Sequence, residues 1–311
     1  MNSRLVNPVL MIFLDGVGIG KEDYENNPFF RYGFKTFTGL FGTIPSTGNQ
    51  YLSRNGFFLK PVDANLGVEG LPQSGTGQTS IFCGMNAAEY IGKHFGPYPY
   101  STLIPVIKEK NIFADYLLNG KKPFFANAYP QIFFDYLESG KTRLSVTSLS
   151  ARLSGLRLNR VSDVRRGVAL TAEITNERWN KKLGYQLPVI RPSTAAKRLI
   201  RSAMKNDFTL YEYFLTDNLG HGRDEGDLET TLRVLDEFLF TVLTESDKSE
   251  FTIVVCSDHG NFEDLSVKTH TFNPSVFITA GKHAEEISGR IENLTQIKGE
   301  ILRACGLQIF Q

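Results

Sequence analysis

The chain has 311 residues, 41% of them hydrophobic, and its 34 basic and 33 acidic side chains leave a formal net charge of +1. That length permits one large core or two modest ones. The charge balance supplies no field to gather nucleic acid or an anionic membrane, so an anionic ligand must be held by a local site. Cys83, Cys256 and Cys305 form no CxxC pair, which argues against a disulfide framework or a thiolate metal site and suits a reducing, cytoplasmic setting.

In chain order, Val9 to Leu14 is a continuous apolar run, too short to span a bilayer and followed by no cleavage site, and so reads as a buried strand. It ends in Asp15-Gly16-Val17-Gly18, where glycines allow a sharp turn. Leu71 to Gln78 reads as a glycine-punctuated turn leading into a helix over Gln78 to Tyr90. Further helices are predicted over Leu103 to Leu118, Arg166 to Trp179, Thr194 to Met204 and Ile291 to Ala304. From about 97 to 192, prolines interrupt mixed segments, and a small insertion or lid is expected there within a single domain spanning 1–311. Leu210 to Leu215 and Phe251 to Cys256 are two more apolar strands, ending in Asp217 and in Asp258-His259. Between them, Leu228, Leu232, Leu235, Leu239 and Val242 mark an amphipathic helix. Strand, helix, strand is the crossover of a parallel sheet, and a further strand is predicted over Ser275 to Thr279. The expected fold class is α/β, a mostly parallel sheet layered by helices.

Open parallel sheets place ligand sites at the carboxyl ends of their strands, where this sequence concentrates Asp and His. Asp217 and His221 have a DxxxH spacing that one helical turn brings to one face, within reach of one ion. The adjacent side chains of Asp258 and His259 diverge, and would serve two neighbouring ions or opposite sides of one. His270, on a loop returning to the sheet, can complete a set. With Asp15, these residues offer carboxylate oxygen and imidazole nitrogen, a mixture that suits zinc or manganese better than calcium. Two such ions, roughly 3.5–4 Å apart, would clamp the attacking and leaving oxygens of an in-line phosphoryl displacement. Ser74, in the turn leading into a predicted helix whose free amides can hold a phosphate, is the candidate nucleophile, with Thr76 and Thr79 as alternative hydroxyls.

Four blocks carry a family resemblance: Phe13 to Gly20, Ser74-Gly75-Thr76-Gly77, Asp217 with Gly220-His221, and Ser257 to Asn261 with His270-Thr271 and Asn273-Pro274. Together they resemble the alkaline phosphatase superfamily, most closely its branch of cofactor-independent phosphoglycerate mutase and phosphopentomutase. The resemblance implies an alkaline-phosphatase-like core and two divalent ions, Mn2+ or Zn2+. It further implies that Asp217, His221 and His270 bind one ion, that Asp15, Ser74, Asp258 and His259 bind the other, and that Ser74 is phosphorylated during turnover.

Two features depart from the mutases. Gln78 stands where they carry His, and the stretch from Ser74 to Asp217 is short for their inserted substrate domain. A mutase must enclose its intermediate and exclude water, so a phosphatase or phosphodiesterase acting on a small phosphorylated substrate is the leading expectation. A phosphomutase is the alternative, and a non-catalytic metal-binding or ligand-binding relative the second. Arg152, Arg157, Arg160, Arg165 and Arg166 read either as a substrate clamp or as a solvated basic face.

Overall fold

The computed structural model describes residues 7–223 and 227–310. Seven strands form one sheet: β1 (Val9–Leu14), β2 (Leu52–Arg54), β3 (Phe57–Val62), β4 (Pro123–Phe125), β5 (Phe208–Tyr213), β6 (Thr252–Ser257) and β7 (Ser275–Gly281), in the spatial order β2-β3-β7-β6-β1-β5-β4. The four strands β6, β1, β5 and β4 run parallel. Strand β7 is antiparallel to β6, and β3 and β2 continue that side as a hairpin. At the hairpin tip Asn55 and Gly56 both have positive φ, 51° and 78°, the conformation that a two-residue turn with matching twist requires.

Alternation along the central strands divides the core into two layers. Leu10, Ile12 and Leu14 face one side with Tyr211, Tyr213, Ile253 and Val255, under the helices Pro192–Ala203 and Leu228–Glu245. Val9, Met11 and Phe13 face the other with Phe208, Leu210, Val254 and Cys256, under the helices Ser74–Cys83, Leu103–Lys110 and Ile297–Ala304. With both faces covered, β1 is buried throughout. At roughly 1.5–3 kcal/mol per buried aliphatic or aromatic side chain, this strand anchors the sheet.

Several boundaries differ from the sequence reading. The strand predicted over Leu210 to Leu215 is β5, which ends at Tyr213, and Leu215–Gly220 is a short helix that carries Asp217. The helix predicted from Gln78 to Tyr90 starts earlier, at Ser74, and stops at Gly84, whose φ of +69° a side chain would strain. Asn111 divides Leu103–Leu118 by capping a second helix at Ile112. The predicted helix over 166–179 does not form. Ile174 and Asn176 there have φ of 73° and 72°, and the hydroxyls of Thr171 and Thr175 donate to Glu173, so local side-chain bonds hold a turn. The helix that follows is Glu177–Leu183.

Candidate metal centre and nucleophile

The register of the parallel strands sets the frame. Leu14 lies opposite both Tyr213 and Ser257, so the residues that follow these three strands emerge at one level of the sheet. Backbone contacts then lock them: the Asp15 amide donates to the Tyr213 carbonyl at 2.9 Å, and the Thr216 hydroxyl to the Asp15 carbonyl at 2.6 Å. The Gly16 amide donates to Asp258 Oδ1 at 3.3 Å. Gly16 itself has φ +72°, and a Cβ there would lie 3.0 Å from Asp217 Oδ1, so the turn after β1 has no room for a side chain.

The seven residues singled out from the sequence converge as two donor sets. In the first, His221 Nε2 and His270 Nε2 lie 3.3 and 3.4 Å from Asp217 Oδ1 and 3.0 Å from each other. In the second, Ser74 Oγ lies 3.0 Å from His259 Nε2 and 3.5 Å from Asp15 Oδ1, while His259 Nε2 is 3.3 Å from Asp15 Oδ1 and 3.6 Å from Asp258 Oδ2. A tetrahedral ion with bonds of about 2.0–2.1 Å has donor-to-donor edges of roughly 3.3–3.4 Å, close to the spacing of the first set and of Ser74, Asp15 and His259 in the second. Donor atoms of Asp15, Asp217 and His259 also fall within 4.8 Å of one another, so Asp217 stands between the sets. The His259 and His270 rings stack at 3.7 Å where the sets meet.

Each imidazole is oriented for coordination. The Nδ1 atoms of His221, His270 and His259 lie 2.8, 2.6 and 3.3 Å from the carbonyls of Lys268, Pro72 and Gly260. A carbonyl only accepts, so each Nδ1 carries a proton, and each Nε2 is left facing the cluster, where a carboxylate or a cation can meet it. Electrostatics agree with a cation site. Burial and the neighbouring Asp258 push Asp15 up to about 7, and burial raises Asp258 to about 6. Burial opposes the charge on His259, yet Asp258 and Asp15 push it up to about 10. Burial would likewise raise Asp217, but hydrogen bonds from His221 and His270 hold it well below the carboxylate range. Three carboxylates packed this closely need positive charge among them, and the donor set fits a divalent ion.

Ser74 is the hydroxyl aimed at this cluster. It opens its helix and is buried. Thr76 is committed elsewhere, donating to the Gln73 carbonyl at 3.1 Å and accepting from the Phe95 amide at 3.2 Å, and Thr79 donates to the Gly75 carbonyl at 2.7 Å. The Thr76 amide is also spent, on the Phe95 carbonyl at 2.9 Å, so the helix start offers fewer open donors than its sequence suggests. Gly77 lets this helix rest on the strand end, since a Cβ there would meet the Asp258 carbonyl oxygen at 2.9 Å. Gln78 Nε2 lies 3.3 Å from both Asp15 Oδ2 and Asp258 Oδ2, bridging two carboxylates that otherwise repel.

Sequence reasoning missed three supporting residues. Asn261 donates to Asp217 Oδ1 at 2.7 Å and fixes its rotamer. The buried Glu263 accepts from the Gly18 and Asn261 amides, the Thr271 hydroxyl and the Asn273 amide group at 2.5–2.9 Å, tying the turn after β1 to the loop that carries His259 and His270. Glu212 accepts from the Thr147 hydroxyl at 2.6 Å, and burial raises it to about 7. The Asp-Gly-rich spacing after β6 could have pointed to Glu263. Glu212 sits inside a strand, where nothing in the sequence distinguishes it.

Of the arginines read either as a substrate clamp or as a solvated face, three are tied to the scaffold and none of them to the metal-ligand cluster. Arg157 and Arg166 both bind the buried Asp163, and the Arg160 guanidinium lies 3.7 Å over the Phe134 ring. A cavity of about 500 Å3 opens beside the cluster, between the helices Glu177–Leu183 and Leu228–Glu245. Tyr213 and Leu215 line it, but none of the seven converged residues does.

Comparison with known proteins agrees with this architecture. Residues 188–309 match the Metalloenzyme superfamily. A 2,3-bisphosphoglycerate-independent phosphoglycerate mutase of Mycoplasmopsis pulmonis is 29% identical over 117 residues, which cover 33% of this chain. The matched part spans only 23% of that relative's length. The alkaline phosphatase of the Antarctic bacterium TAB5 superposes with a TM-score of 0.56 at 14% identity, covering 98% of this chain and 99% of that one. A phosphoglycerate mutase of Leishmania mexicana gives 0.52 at 11% identity, covering 100% and 97%. The chain thus has the fold of the alkaline phosphatase superfamily, and the segment that matches the Metalloenzyme superfamily carries Asp217, His221, Asp258, His259 and His270.

Proposed function

We propose that the protein is a two-metal phosphoryl-transfer enzyme that acts on a small phosphorylated substrate through a phosphoserine at Ser74. The observation that carries this reading is the Asp217, His221 and His270 set with tetrahedral spacing, beside a second cluster in which the Ser74 hydroxyl meets His259 and Asp15. Asp217, His221 and His270 would hold one ion, and Asp15, Ser74, Asp258 and His259 the other. Zinc and manganese suit this mixture of oxygen and nitrogen donors. Bound divalent cations supply positive charge that offsets the phosphoryl oxygens and acidifies a neighbouring hydroxyl.

Ser74 Oγ forms a bond to phosphorus as the bond from phosphorus to the ester oxygen breaks, and the serine proton ends on the leaving alcohol. Water then attacks the phosphoserine, the Oγ–phosphorus bond breaks, and one proton of that water returns to Ser74. Asn261, Gln78 and Glu263 hold the carboxylates and the loop in place during both steps. Two buried cysteines, Cys83 and Cys256, and the half-buried Cys305 are free thiols, in keeping with a reducing cytoplasmic setting. No helix among the described residues is long and apolar enough to cross a membrane.

A second reading, transfer of the phosphoryl group to another hydroxyl of the same substrate, is favoured by the partial match to a phosphoglycerate mutase. One experiment tests both. Purified protein supplied with Mn2+ or Zn2+ is given phosphate monoesters and diesters, ribose 1-phosphate and 3-phosphoglycerate, and free phosphate and isomer are measured together. Free phosphate in step with substrate loss is expected. Isomer without free phosphate would favour the mutase, and neither product from any substrate would overturn catalysis.

A further inference from the structure

Away from the metal-ligand cluster, one concave surface is walled by cations. Arg198, Arg201 and Lys205 recur at steps of three and four, which puts them along one face of the Pro192–Ala203 helix and the turn after it. Arg165 and Arg166, ending the short helix Val161–Arg165, close the other side of a cleft of about 290 Å3. No acidic side chain lines it. Gly167, at φ +68°, lets the half-buried Arg198 guanidinium lie against the backbone, for a Cβ there would come within 3.2 Å of Arg198 Nε.

Arg166 is neutralised by Asp163, but Arg165, Arg198, Arg201 and Lys205 have no ion pair among the described residues. Arg198 is half-buried and the other three are exposed, so the four cations without a partner raise a local positive potential in the cleft that a multiply charged anion would relieve. The helix Pro192–Ala203 ends where β5 begins, so the cleft lies at the amino-terminal edge of the sheet, across from Ser74 and the metal ligands.

We propose that this cleft is a second anion site, taking a compact ligand that bears two or three linked phosphates. Guanidinium groups bind phosphate oxygens in bidentate pairs, and three unpaired arginines with one lysine outmatch a single phosphate's charge. No aromatic side chain lines the cleft to stack a base, and the net charge of +1 gives no wider field, so a single-stranded nucleic acid fits it poorly. The site does not depend on the reading of Ser74.

The test is calorimetric titration of the full chain, as purified, with inorganic phosphate, pyrophosphate and tripolyphosphate at low and moderate salt. Tripolyphosphate should bind at least about tenfold more tightly than phosphate, with affinity falling steeply as salt rises. Arg198→Gln with Arg201→Gln should remove that binding component, while Ser74→Ala and Lys181→Gln with Lys182→Gln should keep it. If the double variant fails to fold, Arg165→Gln must show a smaller loss in the same direction. Unchanged tripolyphosphate binding in the arginine variants, or no binding at low salt, would overturn the proposal. So would tighter binding of anionic vesicles or an oligonucleotide than of tripolyphosphate.

Discussion

His221 and His270 face each other Nε2 to Nε2 at 3.0 Å, while both Nδ1 atoms are held by backbone carbonyls. An Nε2–Nε2 contact this short needs a proton or a cation between the rings, and in the proposed two-metal reading one ion bound by both supplies it. His221→Ala and His270→Ala should each lower divalent metal content by about one ion per chain and cut turnover by orders of magnitude. The double variant should be little worse than either single one, because both remove the same site. Metal analysis and activity on one preparation check this, and additive losses would contradict a shared ion.

Ser74→Ala should abolish any acid-stable phosphoenzyme and leave the fold intact, since the side chain loses one oxygen. Thr76→Val should retain phosphoenzyme formation and lose roughly 1–2 kcal/mol of stability, because its hydroxyl bonds only within its own turn and to Phe95. Peptide mapping of trapped label distinguishes them. Label on residue 76 would reverse the assignment.

Removing the Glu263 carboxylate strands four donors at once, three of them buried. Glu263→Ala should cost on the order of 2–4 kcal/mol by denaturant unfolding and weaken metal binding by about 10-fold to 100-fold, although Glu263 is in neither donor set. Glu263→Gln should recover part of both losses. A variant that loses stability but keeps full metal affinity would limit Glu263 to a structural role.

Glu212 supplies a pH signature. Its folded carboxyl titrates near 7 against an ordinary 4.5, because burial disfavours the charge. The folded protein therefore holds this proton more tightly than the unfolded chain, and the associated stability is full below about pH 4.5 and lost as pH rises through 7. At pH 8 the loss reaches on the order of 3 kcal/mol. Glu212→Gln, which keeps a partner for Thr147, should flatten that decline. Unfolding free energies for both proteins from pH 4.5 to 8 test it, and parallel curves would rule it out.

Much of the site was legible because its chemistry follows a repeated pattern, an apolar strand ending in a carboxylate. Asp15, Asp217 and Asp258 stand out on that ground, and the parallel register explains why they meet. Less was visible where contacts across the chain decide the outcome. Glu212 reads as an ordinary strand residue until the burial of its neighbours is known. The segment 166–179 has helical periodicity, but the Thr171 and Thr175 hydroxyls outbid it by bonding to Glu173. On the antiparallel side of the sheet β7 was legible, but the β2–β3 hairpin escaped notice although Asn55-Gly56 carries the signal of its turn.

The order in which the chain supplies its ligands has a consequence for biosynthesis. Ser74 and Asp15 lie in the first quarter of the sequence, whereas the loop from Asp258 to His270 connects β6 to β7, and the Gly16–Asp258 bond spans 242 residues. A nascent chain paused before β6 would therefore carry Ser74 without Asp258 and without the His259 that it meets in the fold. The cluster is complete only once the sheet closes, so its assembly marks that the longest-range contacts of the fold have formed.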